Sequence, residues 1–173
     1  MKWDKRVDFI KMKNRFERDL KKLEKEKLTY RRLKEMCYIS ILLIQLVNGS
    51  RISEAIEGLK KAIEENKNEV YVRVRKQKNN VRLIVIPKIV MKKLKFIRLI
   101  VPFITRDKVR SFCRYNYKIN THSLRYAFVS YLGEKGYPAQ VIASITQHKN
   151  LNYIIRYTQQ NVGEKILKEI AIK

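Results

Sequence analysis

His122 and Arg125 stand three residues apart, His148 follows them, and Tyr157 comes nine positions after His148. One stretch thus carries an ordered set of groups suited to handling phosphate. A spacing of three places His122 and Arg125 on one face of a helix, and Thr121 just before them is the predicted N-cap. Both side chains then project from a helix N-terminus, where free backbone N–H groups and the positive end of the macrodipole favour an anion such as phosphate. A guanidinium there can grip two phosphate oxygens at once. The chain has only these two histidines.

The elements that must position these groups can be read from periodicity. Residues 1–27 are dense in charge, with Trp3, Val7 and Ile10 and then Phe16, Leu20 and Leu23 at helical spacing. This predicts one helix, or two with a break near Asn14. It would serve either as a solvated helix packing one stripe on the domain or as an arm or linker lying along DNA. Thr29 is the predicted cap of a helix that Asn48 and Gly49 end, and a second helix should run from 51 to about 65. From Val70 the period changes to two. VYVRVR and VRLIVI, separated by KQKNN and closed by Pro87, predict a β-hairpin. Helices are expected over PKIVMKKLKFIRLIV and RDKVRSFCRYN, with Pro102 in the break between them. After the Arg125 helix, Gly136, Tyr137 and Pro138 mark a turn into the short apolar helix AQVIASIT. VGEKILKEIAIK should form a final amphipathic helix. The expected fold is mainly α with a small antiparallel hairpin.

Composition narrows the partner. The 173 residues suit one domain, with residues 1–27 as a helical arm or linker and 28–173 as the main body. Forty Lys and Arg against 16 Asp and Glu give a net charge of +24. The excess is uneven: residues 1–69 hold 18 basic and 12 acidic side chains, residues 70–173 hold 22 and 4. A polyanion is the implied partner, with nucleic acid ahead of an anionic membrane surface, and its binding should weaken steeply with salt. The longest strongly apolar run, Ile39 to Val47, is far short of the roughly 20 residues that span a bilayer, so it should be a core helix. The N-terminus lacks the apolar segment of a secretory signal, which points to an intracellular protein. Cys37 and Cys113 are isolated, with no C-x-x-C, and are expected to be buried free thiols. No cluster with metal-ligand spacing and no glycine-rich phosphate loop is present in the sequence.

H-S-L-R at 122–125, a Gly-ending turn, a dipeptide ending in His148 and Tyr157 nine residues later resemble the C-terminal signature of the tyrosine recombinases, or phage-type integrases. That family carries an earlier Arg in a G-x-R-x-S-E-like turn, and this chain has Gly49, Ser50, Arg51, Ile52, Ser53 and Glu54. It also carries a Lys in a β-hairpin between the two Arg segments, for which residues 70–87 supply candidates. Three separated matches in the right order are far more specific than any one of them. The resemblance covers about residues 28–165.

The resemblance implies site-specific DNA cleavage and rejoining through a 3′-phosphotyrosyl intermediate, with double-stranded DNA as partner and no metal, ATP or other cofactor. Arg51 and Arg125 would stabilise charge on the non-bridging oxygens, which planar guanidiniums do better than an ammonium. Tyr157 would be the nucleophile; a phenol with a reference pKa of about 10 needs nearby cations or a base to lose its proton. His122 would be that base or proton-relay group and His148 a donor to a phosphate oxygen. Lys76, directly after the first strand, would protonate the leaving 5′ oxygen, with Lys78 as the alternative. Glu54 would buttress Arg51. Arg73, Arg75, Lys78 and Lys149 are candidate DNA contacts, and Tyr153 is the local competitor to Tyr157.

Two positions depart from the family pattern: Tyr126 replaces a common His, and Gln147 stands where a Gly usually precedes the second His, so that turn should be less tight. The family's N-terminal core-binding domain does not fit into 27 residues, which implies either a catalytic-domain piece or a short natural version. Residues 160–173 would dock on their own protomer or on the next one, in a dimer or tetramer on DNA. The expected setting is the cytoplasm, with the nucleoid, or a host cell's cytoplasm if the protein is viral. Two other readings are an inactive relative that only binds DNA, as regulator or remnant, and the closely similar chemistry of type IB topoisomerases.

Overall fold

The computed structural model describes residues 7–74, 80–148, 150–152, 154–155, 167 and 169–171. Eight α-helices and one two-stranded sheet form the described part: α1 (Phe9–Lys25), α2 (Tyr30–Asn48), α3 (Ile52–Glu65), β1 (Glu69–Arg73), β2 (Val81–Val85), α4 (Lys88–Met91), α5 (Leu94–Ile97), a 3-10 turn (Val101–Phe103), α6 (Arg106–Tyr117), α7 (Thr121–Glu134) and α8 (Ala139–Thr146).

Helix α2 is the axis of the domain. Its last three turns are apolar almost all round, and from Met36 to Leu46 only a few positions escape full burial; a helix of that character belongs in a core. Around it pack α1, α3, α5, α6 and α7. Thr29 caps it, accepting a hydrogen bond from the Arg32 N–H at 3.3 Å, and Gly49 ends it in the left-handed conformation. Cys37 on α2 and Cys113 on α6 are buried free thiols, each pushed up to about 12 by burial.

Helix α1 runs through Asn14 without a break. Its Asp8 cap is followed by a stripe, Phe16, Leu20 and Leu23, that enters the same core as α2. Phe16 meets Tyr117 of α6 edge-on at 4.8 Å, and the Tyr117 hydroxyl donates to Asp19 at 2.9 Å. Residues 9–25 are therefore a wall of the domain and not a detached arm.

The hairpin pairs Glu69 with Val85 and Arg73 with Val81 in antiparallel register. One face, with Val70, Val72, Arg82 and Ile84, turns inward onto α3. Gly58 on α3 makes that approach possible, since a Cβ there would stand 2.8 Å from Ile84 Cγ2. Asn48, at the end of α2, fastens the outer edge of β2: its Oδ1 accepts the Val85 N–H and its Nδ2 donates to the Val85 carbonyl, both at 2.9 Å.

After Pro87 the structure departs from the expected single helix and makes two short helices and a 3-10 turn. The buried residues explain this. Leu94, Ile97 and Ile100 recur every three positions, a spacing that suits turns tighter than an α-helix. Lys93 is also turned inward, its ammonium paired with Glu24 of α1, which interrupts the helical register between α4 and α5. Among the described residues no single helix is long and apolar enough to cross a membrane.

Candidate active site

The site is built where four chain turns meet: the end of α2, the start of α3, the first turns of α7 and the end of α8. Gly49 makes the first of these possible. Its φ of +54° is costly for any residue with a Cβ, and a Cβ there would lie 2.3 Å from the Phe128 ring. The turn aims the Gly49 carbonyl at Arg125, whose Nη1 donates to it at 2.8 Å.

Arg51 occupies the N-cap position of α3 with extended backbone. Its N–H donates to Glu54 Oε2 at 3.0 Å and its Nη1 to Glu54 Oε1 at 2.9 Å. Glu54 is 1% exposed whereas the Arg51 side chain is 23% exposed, so the guanidinium keeps an open edge above a buried carboxylate.

Helix α7 begins one residue earlier than expected. Asn120 caps it, its Oδ1 accepting the His122 N–H at 2.6 Å. Thr121 is instead buried in the first turn, and its carbonyl accepts Gln45 Nε2 at 2.9 Å. Asn caps at least as well as Thr, and with Asn120 in the cap position Thr121 falls inside the first turn. His122 lies exposed on this first turn, its ring 6.5 Å from Tyr126, while Arg125 one turn on is 3% exposed.

At the far end of α8, Gln147 takes the left-handed conformation with φ +56°. The turn thus keeps the geometry a glycine would give it, with the Gln147 amide bonded to the Ser144 carbonyl at 2.7 Å. The expected loosening at this non-glycine position is not seen: the glutamine takes the left-handed conformation in spite of its Cβ, with the amide bond to Ser144 and the His148 N–H bond to the Ala143 carbonyl closing the turn. The turn delivers two groups to Arg125: the Thr146 carbonyl, which accepts from Nη2 at 2.7 Å, and the His148 ring, whose Nε2 lies 3.4 Å from Nε and 3.2 Å from Nη2.

The Thr146 hydroxyl donates to the Ile142 carbonyl and lies 2.6 Å from His148 Nδ1. Arg125 Nη2 lies 3.3 Å from Nδ1 and 3.2 Å from Nε2; with its one proton committed, the hydroxyl accepts from Nδ1–H, which leaves Nε2 to accept from the guanidinium, a tautomer inferred from this network. Burial first, then the charges of Arg125, Arg51 and Arg82, hold the imidazole down at about 4, so it is neutral at pH 7. Burial and the neighbouring Arg51 charge bring Arg125 down to about 9, which leaves it a cation.

Stability should carry this signature. Between the ordinary value of 6.5 and about 4, the unfolded chain binds a proton at His148 that the folded chain refuses. The folded state therefore loses stability as pH falls through that window. Thermal melts from pH 7 to pH 4 should show a shallower decline for His148→Asn than for the unaltered protein. Parallel curves would contradict the placement of the ring against the guanidinium.

Arg51, Glu54, Arg125 and His148 are thus brought together. Arg73 is exposed at the end of β1, beside the hairpin turn. Lys76, Lys78, Arg75, Lys149, Tyr153 and Tyr157 lie outside the described residues, as does most of 160–173. The sequence reading missed Arg82, which is 4% exposed and donates to Glu54 Oε2 at 3.3 Å and to the Asn48 carbonyl at 2.6 Å. A signal was available: period-two alternation puts Arg82 in phase with Ile84 and Ile86, so its charge had to find a buried partner. Among the described residues no group of His, Cys, Asp and Glu is arranged to hold a metal ion.

No family model matches the chain. Individual relatives do. An uncharacterized protein of Methanocaldococcus jannaschii is 41% identical over 98% of this chain and 89% of its own length. A protein of Acidianus two-tailed virus, provisionally named an integrase, is 39% identical over 98% of this chain and 69% of its own length. A Sputnik virophage protein with the same provisional name is 33% identical over 75% of this chain and 69% of its own. The backbone is similar to that of the site-specific recombinase XerH in its pre-cleavage complex with the difH substrate, with a TM-score of 0.54 at 16% identity over 88% of this chain. The chain spans about half the length of that protein (51%). With one integrase-named relative matched over 98% of this chain and a second over 75%, and a backbone of the same fold as that recombinase, the chain belongs to the tyrosine recombinase, or phage-type integrase, family.

Proposed function

We propose that the protein cuts and rejoins double-stranded DNA at specific sites through a covalent 3′-phosphotyrosyl intermediate. The observation that carries this reading is the convergence of Arg51, Arg125 and His148, from three separate stretches of chain: Arg51 on the buried Glu54, His148 on Arg125, and the three close enough for their charges to act on one another. Two guanidiniums so fixed are preorganised for the negative charge that builds on a phosphorane. His148 Nε2 now accepts from the edge of Arg125 that a phosphate oxygen would take. An entering phosphate displaces the ring from that edge, and its charge raises the imidazole's affinity for a proton, so that His148 becomes a donor to a second oxygen.

The remaining roles follow from the family pattern: Tyr157 attacks phosphorus, Lys76 or Lys78 protonates the departing 5′ oxygen, and His122 relays the phenolic proton. The bond energy stays in the ester, so rejoining needs no ATP. Assembly as a dimer or tetramer on DNA, with residues 160–173 docked at home or on a neighbour, belongs to the same proposal, as does a role in integrating a viral genome.

The test is a nicked suicide duplex incubated with the protein at low salt. A covalent protein–DNA adduct that disappears in Tyr157→Phe is expected. DNA binding without adduct in the unaltered protein would instead favour a relative that only holds DNA.

A further inference from the structure

Arg82 takes no part in the chemistry above and is closed off from solvent, so it is not a contact to the DNA backbone. It projects from the inward face of β2 into the middle of the site. Nη1 donates to Glu54 Oε2 at 3.3 Å and lies 3.5 Å from the Thr146 carbonyl; Nη2 donates to the Asn48 carbonyl at 2.6 Å. Each acceptor is one step from a proposed catalytic arginine. Glu54 holds Arg51 through its other oxygen, and the Thr146 carbonyl is the one that Arg125 Nη2 also uses. The Asn48 carbonyl belongs to the peptide leading into Gly49, whose own carbonyl takes Arg125 Nη1.

We infer that Arg82 is a positioning residue, which sets the Arg51 and Arg125 guanidiniums for phosphate without touching it; the inference rests on the recombinase reading of the site. Valence and charge both bear on this. With Arg82 and the Arg51 N–H on Oε2, only Oε1 remains for the Arg51 side chain, which is held at one point and keeps the rest of its fork for DNA. Without Arg82, Oε2 is released and the carboxylate closes on Arg51 as a two-point clamp, the geometry that carboxylates and guanidiniums prefer. The charge sum also matters: three guanidiniums against one carboxylate leave +2 around the phosphate, two leave +1. A stabilising role alone does not explain the arrangement. Arg82 Nε is buried without a hydrogen-bond partner, and an apolar pair in place of both Arg82 and Glu54 would avoid that cost and the burial of two charges.

Arg82→Lys is the decisive variant because it keeps the charge and loses the fork. In the full-length chain we expect single-turnover cleavage of the nicked duplex to slow about 10- to 100-fold, the range seen when residues that orient functional ligands are removed. DNA affinity should be unchanged. The His148 titration, followed by NMR, should move upward as Arg125 loosens from the ring. Cleavage at the unaltered rate would overturn the inference, and so would rate and affinity falling together. If the unaltered protein forms no adduct, the recombinase reading fails and the His148 titration alone decides: an upward move in Arg82→Lys upholds the positioning role and no move overturns it. Should Arg82→Lys not fold, Arg82→Gln is read on the same scales.

Discussion

Arg125→Lys should slow strand cleavage about 100- to 1000-fold, the range for losing one preorganised donor to a developing oxyanion. Charge is conserved in this variant, so the loss reports geometry. The Arg125 guanidinium is fixed by three partners in different directions, the Gly49 carbonyl, the Thr146 carbonyl and the His148 ring. A single ammonium at the end of a straight stem cannot reach all three directions at once, so at least one buried partner loses the donor it has in the native site. DNA binding should fall far less, because most of the affinity of so basic a protein comes from phosphate contacts spread over its surface. Single-turnover cleavage on the nicked duplex, beside a binding titration at matched salt, separates the two. A rate within a few-fold of the unaltered protein would remove Arg125 from the proposed chemistry.

Gly49→Ala should cost about 2–4 kcal/mol of folding stability, combining a left-handed backbone with a Cβ and the overpacking of a filled core. The Cβ would stand 2.3 Å from Phe128 Cδ1, and that ring is itself buried. For a domain whose total stability is about 5–15 kcal/mol, this is a large share. Denaturant melts should register it as a lower midpoint with little change in slope. Asn, which tolerates the same backbone, should relieve only part of the cost, since its side chain meets the same ring. A neutral Gly49→Ala would mean that α2 does not end as described.

How much of this was legible in the sequence follows from the range of the forces involved. Turn residues and caps act locally. Gly49, Thr29 and the change of period at Val70 therefore marked their elements, and the Asn120 cap was missed by one residue because Thr121 is also a good capper. The break between α4 and α5 depends on Lys93 reaching Glu24 some seventy residues earlier, a contact that no local window displays. Arg82 escaped for a similar reason. Its phase in the strand was visible, but its importance lies in acceptors contributed by α2, α3 and α8. The residues of H-S-L-R looked equivalent by spacing, yet the structure buries Arg125 and leaves His122 exposed. Helical spacing says which residues share a face and not how deep that face lies.

The two cysteines have a practical consequence. Both thiols are buried and held far from thiolate formation, and they are the only two in the chain. In its native form the protein should be nearly blank to maleimide dyes and indifferent to the redox poise of its surroundings. A single cysteine introduced at an exposed position such as Arg73 would then carry a fluorophore alone. Its emission would report in real time any change in the surroundings of β1 when DNA is added.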